Sequence, residues 1–253
     1  MYSRAIVRTP GKSMVNGLTS AGLGLPDYDL ALDQHAEYIR ALEACGLDVL
    51  VLPADEGHPD STFIEDVALL TGKCAIIMNP GVASRKEEPA DMRTVLMDYF
   101  SYIHEVRDPG TAEAGDIMMV GTHFYIGLSA RTNERGVRQV IGYLEQHGYS
   151  GSVITLKNVL HLKTGLAYLE RNNLVASGEF VSNEAFQQFN ILTIDSDESY
   201  AANCIWVNNR VLVPTGFPKT RKAIEDAGYL ITEINVSEFQ KLDGGLSCLS
   251  LRF

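Results

Sequence analysis

The stretch Val67-Ala68-Leu69-Leu70-Thr71-Gly72-Lys73-Cys74-Ala75-Ile76-Ile77-Met78 decides the fold. Two short apolar runs flank the polar turn Thr71-Gly72-Lys73, which predicts a hairpin. A helical stretch from about Pro89 to Phe100 and an extended run from Tyr102 to Val106 follow. The same order recurs downstream: Ile117–Val120, a turn at Gly121-Thr122, His123–Gly127, a helix from Asn133 toward Gln146 that stops at Gly148, and Ser152–Leu156. A third copy runs from Gly165–Leu169 through Leu174–Ser177 to Ile191–Ile194, with a poor helix between the last two runs. A fourth uses Cys204–Val207, Val211–Pro214, a helix over Pro218–Ala227 and Tyr229–Ile234. The ends of the chain supply a fifth. Leu249–Arg252 pairs with Ala5–Arg8, a helix over Tyr28–Cys45 carries Leu30, Tyr38, Leu42 and Cys45 on one face, and Leu47–Leu52 closes the unit. The first strands begin near residues 66, 117, 165, 202 and 248. Spacing this regular points to a closed ring of like strand-strand-helix-strand (ββαβ) units formed by one domain over 1–253. An open α/β sheet with antiparallel edges uses the same elements and is the alternative.

Composition bounds the chemistry. The 253 residues are 45% hydrophobic and 21% charged, as in globular chains, and the net charge of -11 repels phosphate backbones and anionic membranes while favouring cationic solutes. Nucleic acid and membrane are therefore not expected as partners. No run approaches the roughly 20 apolar residues of a membrane span, and the opening residues Met1–Pro10 read as a strand and not a secretory leader, so a cytoplasmic location is expected. Cys45, Cys74, Cys204 and Cys248 form no Cys-x-x-Cys pair, which removes the common structural zinc and thioredoxin signatures, and the glycine-bearing runs Gly17–Ser20 and Gly22–Leu25 lack dinucleotide spacing, so no metal or nucleotide cofactor is expected. The first three cysteines lie in apolar helix or strand patterns and read as core.

In a ring, equivalent positions converge. At or just before the first strand of each unit stand Glu65 with Asp66, Glu113 with Asp116, His161, Asn203 and Cys248. Together they offer a thiol, an imidazole and several carboxylates. That set suits attack by sulfur on a positively charged carbon, with His161 moving protons and acidic side chains gripping a planar cation. Carboxylates beside a thiol oppose its ionisation, so the site makes chemical sense only with a cation between them. A guanidinium meets that requirement. Each residue has a plainer reading: Cys248 as a small core side chain, His161 between two leucines as a core histidine, Asp66 and Glu113 as turn or cap residues. Their joint placement favours the site. Arg131, directly after a strand, is placed to meet a substrate carboxylate at the rim, and Gly17–Gly24, with three glycines, reads as a mobile lid.

These residues carry a resemblance. Arg8-Thr9-Pro10 with Gly17–Ser20, Pro59–Asp66, Glu113–Met118, Ser129–Asn133, Leu160–Gly165 and Asp243–Ser250 resemble the dimethylarginine dimethylaminohydrolase family of the pentein, or guanidino-group-modifying, superfamily. The resemblance covers the chain and implies a five-bladed α/β propeller. It implies Cys248 as nucleophile, His161 as general acid and base, and Glu113 as the carboxylate that contacts the guanidinium and orients the imidazole. Asp66, with Glu65 beside it, would hold the guanidinium; Arg85 and Arg131 would bind the substrate carboxylate; Asp60 and the main-chain carbonyls of Leu18 and Leu242 would meet its amino group. The implied activity converts N-ω-methylated arginines to citrulline and dimethylamine or methylamine. An arginine deiminase would use the same steps on unmethylated arginine, but usually carries a helical insertion for which this chain has no room. A binding module that captures methylarginine without cleaving it is the other alternative, and a homodimer is left open.

Overall fold

The structure is a computed structural model describing residues 1–253. The strands sort into five separate three-stranded sheets, each with one antiparallel and one parallel pairing, and not into one open sheet. The chain divides into two compact units, Glu65–Thr164 and the remainder, Met1–Ile64 with Gly165–Phe253. No helix is long and apolar enough to cross a membrane.

In the unit Glu65–Thr164, strands Ala68–Leu70 and Ala75–Ile77 form the expected hairpin, with Leu69 opposite Ile76. The Thr71 hydroxyl accepts from the amides of Lys73 and Cys74, which fixes the turn. Ile103–Glu105 then joins in parallel. The second sheet comprises Ile117–Val120, His123–Leu128 and Ser150–Thr155. Its helix, Glu134–Gln146, starts where Asn133 accepts from the Gly136 amide at 2.8 Å, and lays Val137, Val140 and Leu144 into a core with Leu69, Ile76, Phe124 and Ile126. Gly136 is required there, because a Cβ would stand 1.9 Å from the Thr111 carbonyl oxygen. The expected helix Pro89–Phe100 is shorter: a 3-10 turn over Glu88–Asp91 leads into Met92–Leu96. Glu88 is buried against Arg85, and the tighter turn sets its carboxylate there.

In the other unit, Leu251–Arg252 pairs antiparallel with Arg4–Arg8, which runs parallel to Asp48–Leu52, so the two termini do complete one sheet. The helix Tyr28–Ala44, capped by Asp27 through the Leu30 amide, buries Ala31, Gln34, His35, Tyr38, Ala41 and Leu42. Leu30 is exposed, contrary to the expectation, because the buried stripe follows Ala31, His35 and Tyr38, one position round the helix. The third sheet, Leu166–Tyr168, Asn173–Ser177 and Asn190–Ile194, has 3-10 turns at Gly178–Phe180 and Glu184–Phe186 in place of a helix, and the fourth carries the helix Pro218–Asp226.

His35 is 3% exposed, packs on Phe239, and its Nε2 has no hydrogen-bond partner. Burial lowers its pKa to about 4. The unfolded chain therefore takes up the proton first as the pH falls from 6.5, and about 3 kcal/mol of stability is lost by pH 4. Denaturant melts of His35→Leu should lack this loss between pH 6.5 and 4; a wild-type slope in that window would assign it to other groups.

Candidate active site

Six of the expected residues come together in the unit Glu65–Thr164. Glu65 and Asp66 lie in a 3-10 turn at the mouth of strand Ala68–Leu70, and Glu113 precedes the turn Ala114–Asp116. Glu113 is fully buried. Its Oε2 meets His161 Nε2 at 2.8 Å, its Oε1 accepts from the Gly81 amide at 2.9 Å, and Arg131 Nη1 stands 3.5 Å from Oε1. Asp66 Oδ1 accepts from the Gly115 amide at 3.0 Å and Oδ2 from Arg85 Nη1 at 2.7 Å. Lys163 Nζ lies 2.6 Å from Glu65 Oε1.

The electrostatics follow from this packing. Burial opposes the His161 imidazolium, but Asp66, the Glu113 hydrogen bond and Asp116 outweigh it and raise the pKa to about 9. Burial likewise opposes the Asp66 carboxylate, and is outweighed by His161, Arg85 and the Gly115 amide, which lower its pKa to about 2. At neutral pH these shifts favour a protonated imidazole beside an ionised Asp66. One ligand atom each from Asp66, Glu113 and His161 lies within 4.8 Å of the others, a spacing a divalent ion accepts. In this structure those side chains engage Arg85, the Gly81 amide and one another.

Arg85, expected at the substrate carboxylate, is buried between carboxylates of the chain itself. Its Nε donates to both Glu88 oxygens at 3.0 Å and its Nη2 to Glu88 Oε2 at 2.8 Å, besides the bond to Asp66. Those carboxylates hold its pKa well above the ordinary value against the cost of burial. Arg131 is more open, with 15% of its side chain exposed.

The remaining four expected residues lie in the other unit. Cys248 sits in the turn Ser247–Leu249, only half-buried, with the Gly245 amide donating to its sulfur at 3.4 Å. The turn is braced on several sides. Asn203 accepts from the Ser247 amide and donates to its hydroxyl, the Tyr38 hydroxyl reaches the Leu246 carbonyl and Ser250 Oγ, and the Tyr200 hydroxyl donates to the Gly244 carbonyl. A Cβ on Gly244 would fall 2.1 Å from Phe63, so the backbone itself packs against that ring. Burial, with the Cys248 sulfur nearby, pushes the Tyr200 hydroxyl far up, so it stays protonated. Asp60 Oδ1 accepts from the Leu18 amide at 2.9 Å, and Gly17 approaches both Asp60 and the Leu242 side chain. Within the glycine-rich segment Thr19 donates to the Lys241 carbonyl, and Ser20 donates to Asp243 from its amide and its hydroxyl.

Four contributors were not assigned roles from the sequence. Glu88, Lys163 and Asp243 are ordinary surface charges by pattern, although Glu88 lies three residues from Arg85 and Lys163 two from His161. Asn203 was visible at the repeat's convergent position, and its role as a brace for Ser247 needed coordinates.

Similarity to known proteins extends over the whole chain. A family model described as "DDAH_eukar: N,N dimethylarginine dimethylhydrolase, eukaryotic" matches residues 27–204. A curated relative from Pseudomonas aeruginosa, N(G),N(G)-dimethylarginine dimethylaminohydrolase, is 58% identical over 100% of both chains. Two solved structures each superpose at TM-score 0.98 with 57% identity, covering 100% of both chains. One is a cysteine-to-serine mutant of the Pseudomonas aeruginosa enzyme complexed with citrulline; the other is a histidine-to-glycine dimethylarginine dimethylaminohydrolase in an adduct with S-methyl-L-thiocitrulline. The fold, five ββαβ-type units each built on a three-stranded sheet, is the pentein α/β fold. The chain is an amidine-hydrolysing enzyme and belongs to the dimethylarginine dimethylaminohydrolase family.

Proposed function

We propose that the chain hydrolyses N-ω-methylated arginines, asymmetric dimethylarginine and monomethylarginine, to citrulline and dimethylamine or methylamine through a thiouronium on Cys248. The observation that carries this is the buried imidazole of His161, bonded to Glu113 at 2.8 Å, with Asp66, the Glu113 hydrogen bond and Asp116 raising its pKa to about 9. An acid so held can protonate an amine leaving group, and the surrounding carboxylates favour a guanidinium as the substrate's reacting end. The citrulline complex and the S-methyl-L-thiocitrulline adduct of the related enzymes support the same chemistry.

The substrate guanidinium is gripped by Asp66 and Glu113, with Glu65 beside them. Its arrival supplies the positive charge that favours the Cys248 thiolate. Sulfur attacks the central guanidinium carbon, and the tetrahedral adduct collapses as His161 gives its proton to the departing methylated amine, leaving a planar thiouronium. The neutral imidazole then takes a proton from water as the water oxygen attacks the same carbon. Collapse breaks the carbon–sulfur bond, the hydroxyl proton passes to solvent, and citrulline leaves as the thiolate returns. Asp60 and the carbonyls of Leu18 and Leu242 meet the amino group. Arg131 takes the larger share of the substrate carboxylate, because Arg85 already donates to Glu88 and Asp66.

Citrulline formation by the purified protein from asymmetric dimethylarginine, compared with arginine, tests the reading. A higher kcat/KM for arginine would reassign the chain as an arginine deiminase, and tight binding with no product would make it a binding module. Arg131→Ala should raise KM for dimethylarginine about 10- to 100-fold, the worth of one charge-assisted pair, and lower kcat much less. A loss dominated by kcat would place Arg131 at the chemistry instead.

A further inference from the structure

Asp116 lies one turn beyond Glu113, is fully buried, and takes no part in the chemistry above. Its Oδ1 accepts from the amide of Leu162, the residue after His161, at 3.0 Å. Its Oδ2 accepts from Ser129 Oγ at 2.6 Å. The direction of that bond is fixed: Ser129 Oγ already accepts from the amides of Arg131 at 2.9 Å and Thr132 at 3.1 Å, so its one proton goes to Asp116. Thr132 also donates its hydroxyl proton to Asp116, while the same oxygen accepts from the Glu113 amide at 3.1 Å. One carboxylate thus joins the backbone of His161, Glu113 and Arg131.

The geometry points to Asp116 as the positioning residue of the reaction, a fixed anion that aligns the proton shuttle, its orienting carboxylate and the substrate-carboxylate arginine, and that stabilises the imidazolium. This rests on the hydrolase reading for the roles of the three residues, and on hydrogen bonds alone for their connection. Burial pushes the Asp116 carboxyl up, but it receives three donors and no acceptor faces it in the network, which suits the ionised form. The charged groups around His161 are then Asp66 on the turn Ile64–Val67, itself paired with Arg85; Glu113 and Asp116 on the turn before strand Ile117–Val120; Arg131, beside Glu113; and Lys163 on the histidine's own turn, paired with Glu65. Loss of Asp116 removes one of three negative charges that favour the imidazolium.

Asp116→Asn keeps the shape and removes the charge. The imidazole of His161 is followed by long-range proton–nitrogen NMR in substrate-free protein, where the wild type should titrate near pH 9. In D116N the midpoint should fall by about one pH unit. An unmoved midpoint would overturn the assignment whatever the protein hydrolyses, since no substrate is present. Ser129→Ala leaves the charge and cuts the link to Arg131: the His161 midpoint should stay, while KM for asymmetric dimethylarginine rises about 10-fold with a smaller fall in kcat. Should D116N fail to fold, wild-type KM and kcat in S129A would overturn the assignment on their own. Absence of citrulline from the wild-type protein would remove the hydrolase reading and leave the imidazole measurement standing.

Discussion

On the proposed mechanism Cys248→Ser should lose at least about 10⁴-fold in citrulline formation, because a hydroxyl in the same turn is a far weaker nucleophile than a thiolate. The turn itself should be unchanged. Its bracing comes from Asn203, Tyr38 and Tyr200, none of which depends on the sulfur for its bonds to Ser247, Leu246 and Gly244. Thermal melts of variant and wild type should therefore agree within a few degrees. Rapid quench of the wild-type reaction followed by intact-mass measurement should trap the added amidine on the protein, and the variant should show none. An adduct that persists in C248S would move the nucleophile to another residue. The other three cysteines are poor substitutes: burial pushes the thiols of Cys45 and Cys74 up, and that of Cys204 to about 12. Each is at most 7% exposed, so the expected adduct has one site.

The fold was legible because its signal is repetition. Four hairpin-and-return patterns and a fifth closed by the chain ends leave short, continuous apolar runs between polar turns, and pairings such as Leu69 with Ile76 or Ile117 with Ile126 follow from turn position alone. The helices were read less well where burial is polar. Around Arg85 the chain folds to satisfy a charge with Glu88 and Asp66, and hydrophobic periodicity carries no trace of that demand. Leu30 fails for a related reason: the buried face of its helix includes Gln34 and His35, so apolar spacing points one position away from the true stripe. At the site, residue type and repeat position picked out Cys248, His161, Glu113 and Asp66 as candidates. What they could not convey is the second layer. Ser129 reads as a loop serine and Gly115 as a turn glycine, yet one relays hydrogen bonds from Asp116 and the other marks a contact too close for any side chain.

Gly115→Ala turns that close contact into a measurable loss. Gly115 donates its amide to Asp66 Oδ1 at 3.0 Å, and a Cβ there would stand 2.7 Å from the same oxygen and 3.0 Å from Nδ1 of His161. Neither neighbour is free to yield. Asp66 is held by Arg85 at 2.7 Å, which Glu88 grips in turn, and His161 is held by Glu113 at 2.8 Å and by the Asp116 bond to the next amide. The methyl must therefore push apart Asp66 and His161, the pair to which the proposed reaction assigns the guanidinium grip and the proton transfer. Displacement on this scale should cost about 10²-fold in kcat/KM, mostly in kcat. The overpacking penalty to stability should be about 1–3 kcal/mol, small enough to leave the fold intact. If Asp66 is the group that retreats, His161 also loses its leading anionic partner, and the alkaline fall in rate near pH 9 should move to lower pH. Steady-state kinetics across pH 6 to 10, with circular dichroism to confirm the fold, separates these effects. A kcat/KM within twofold of wild type would mean that the turn Ala114–Asp116 shifts freely, and that the spacing between Asp66 and His161 is not what the reaction depends on.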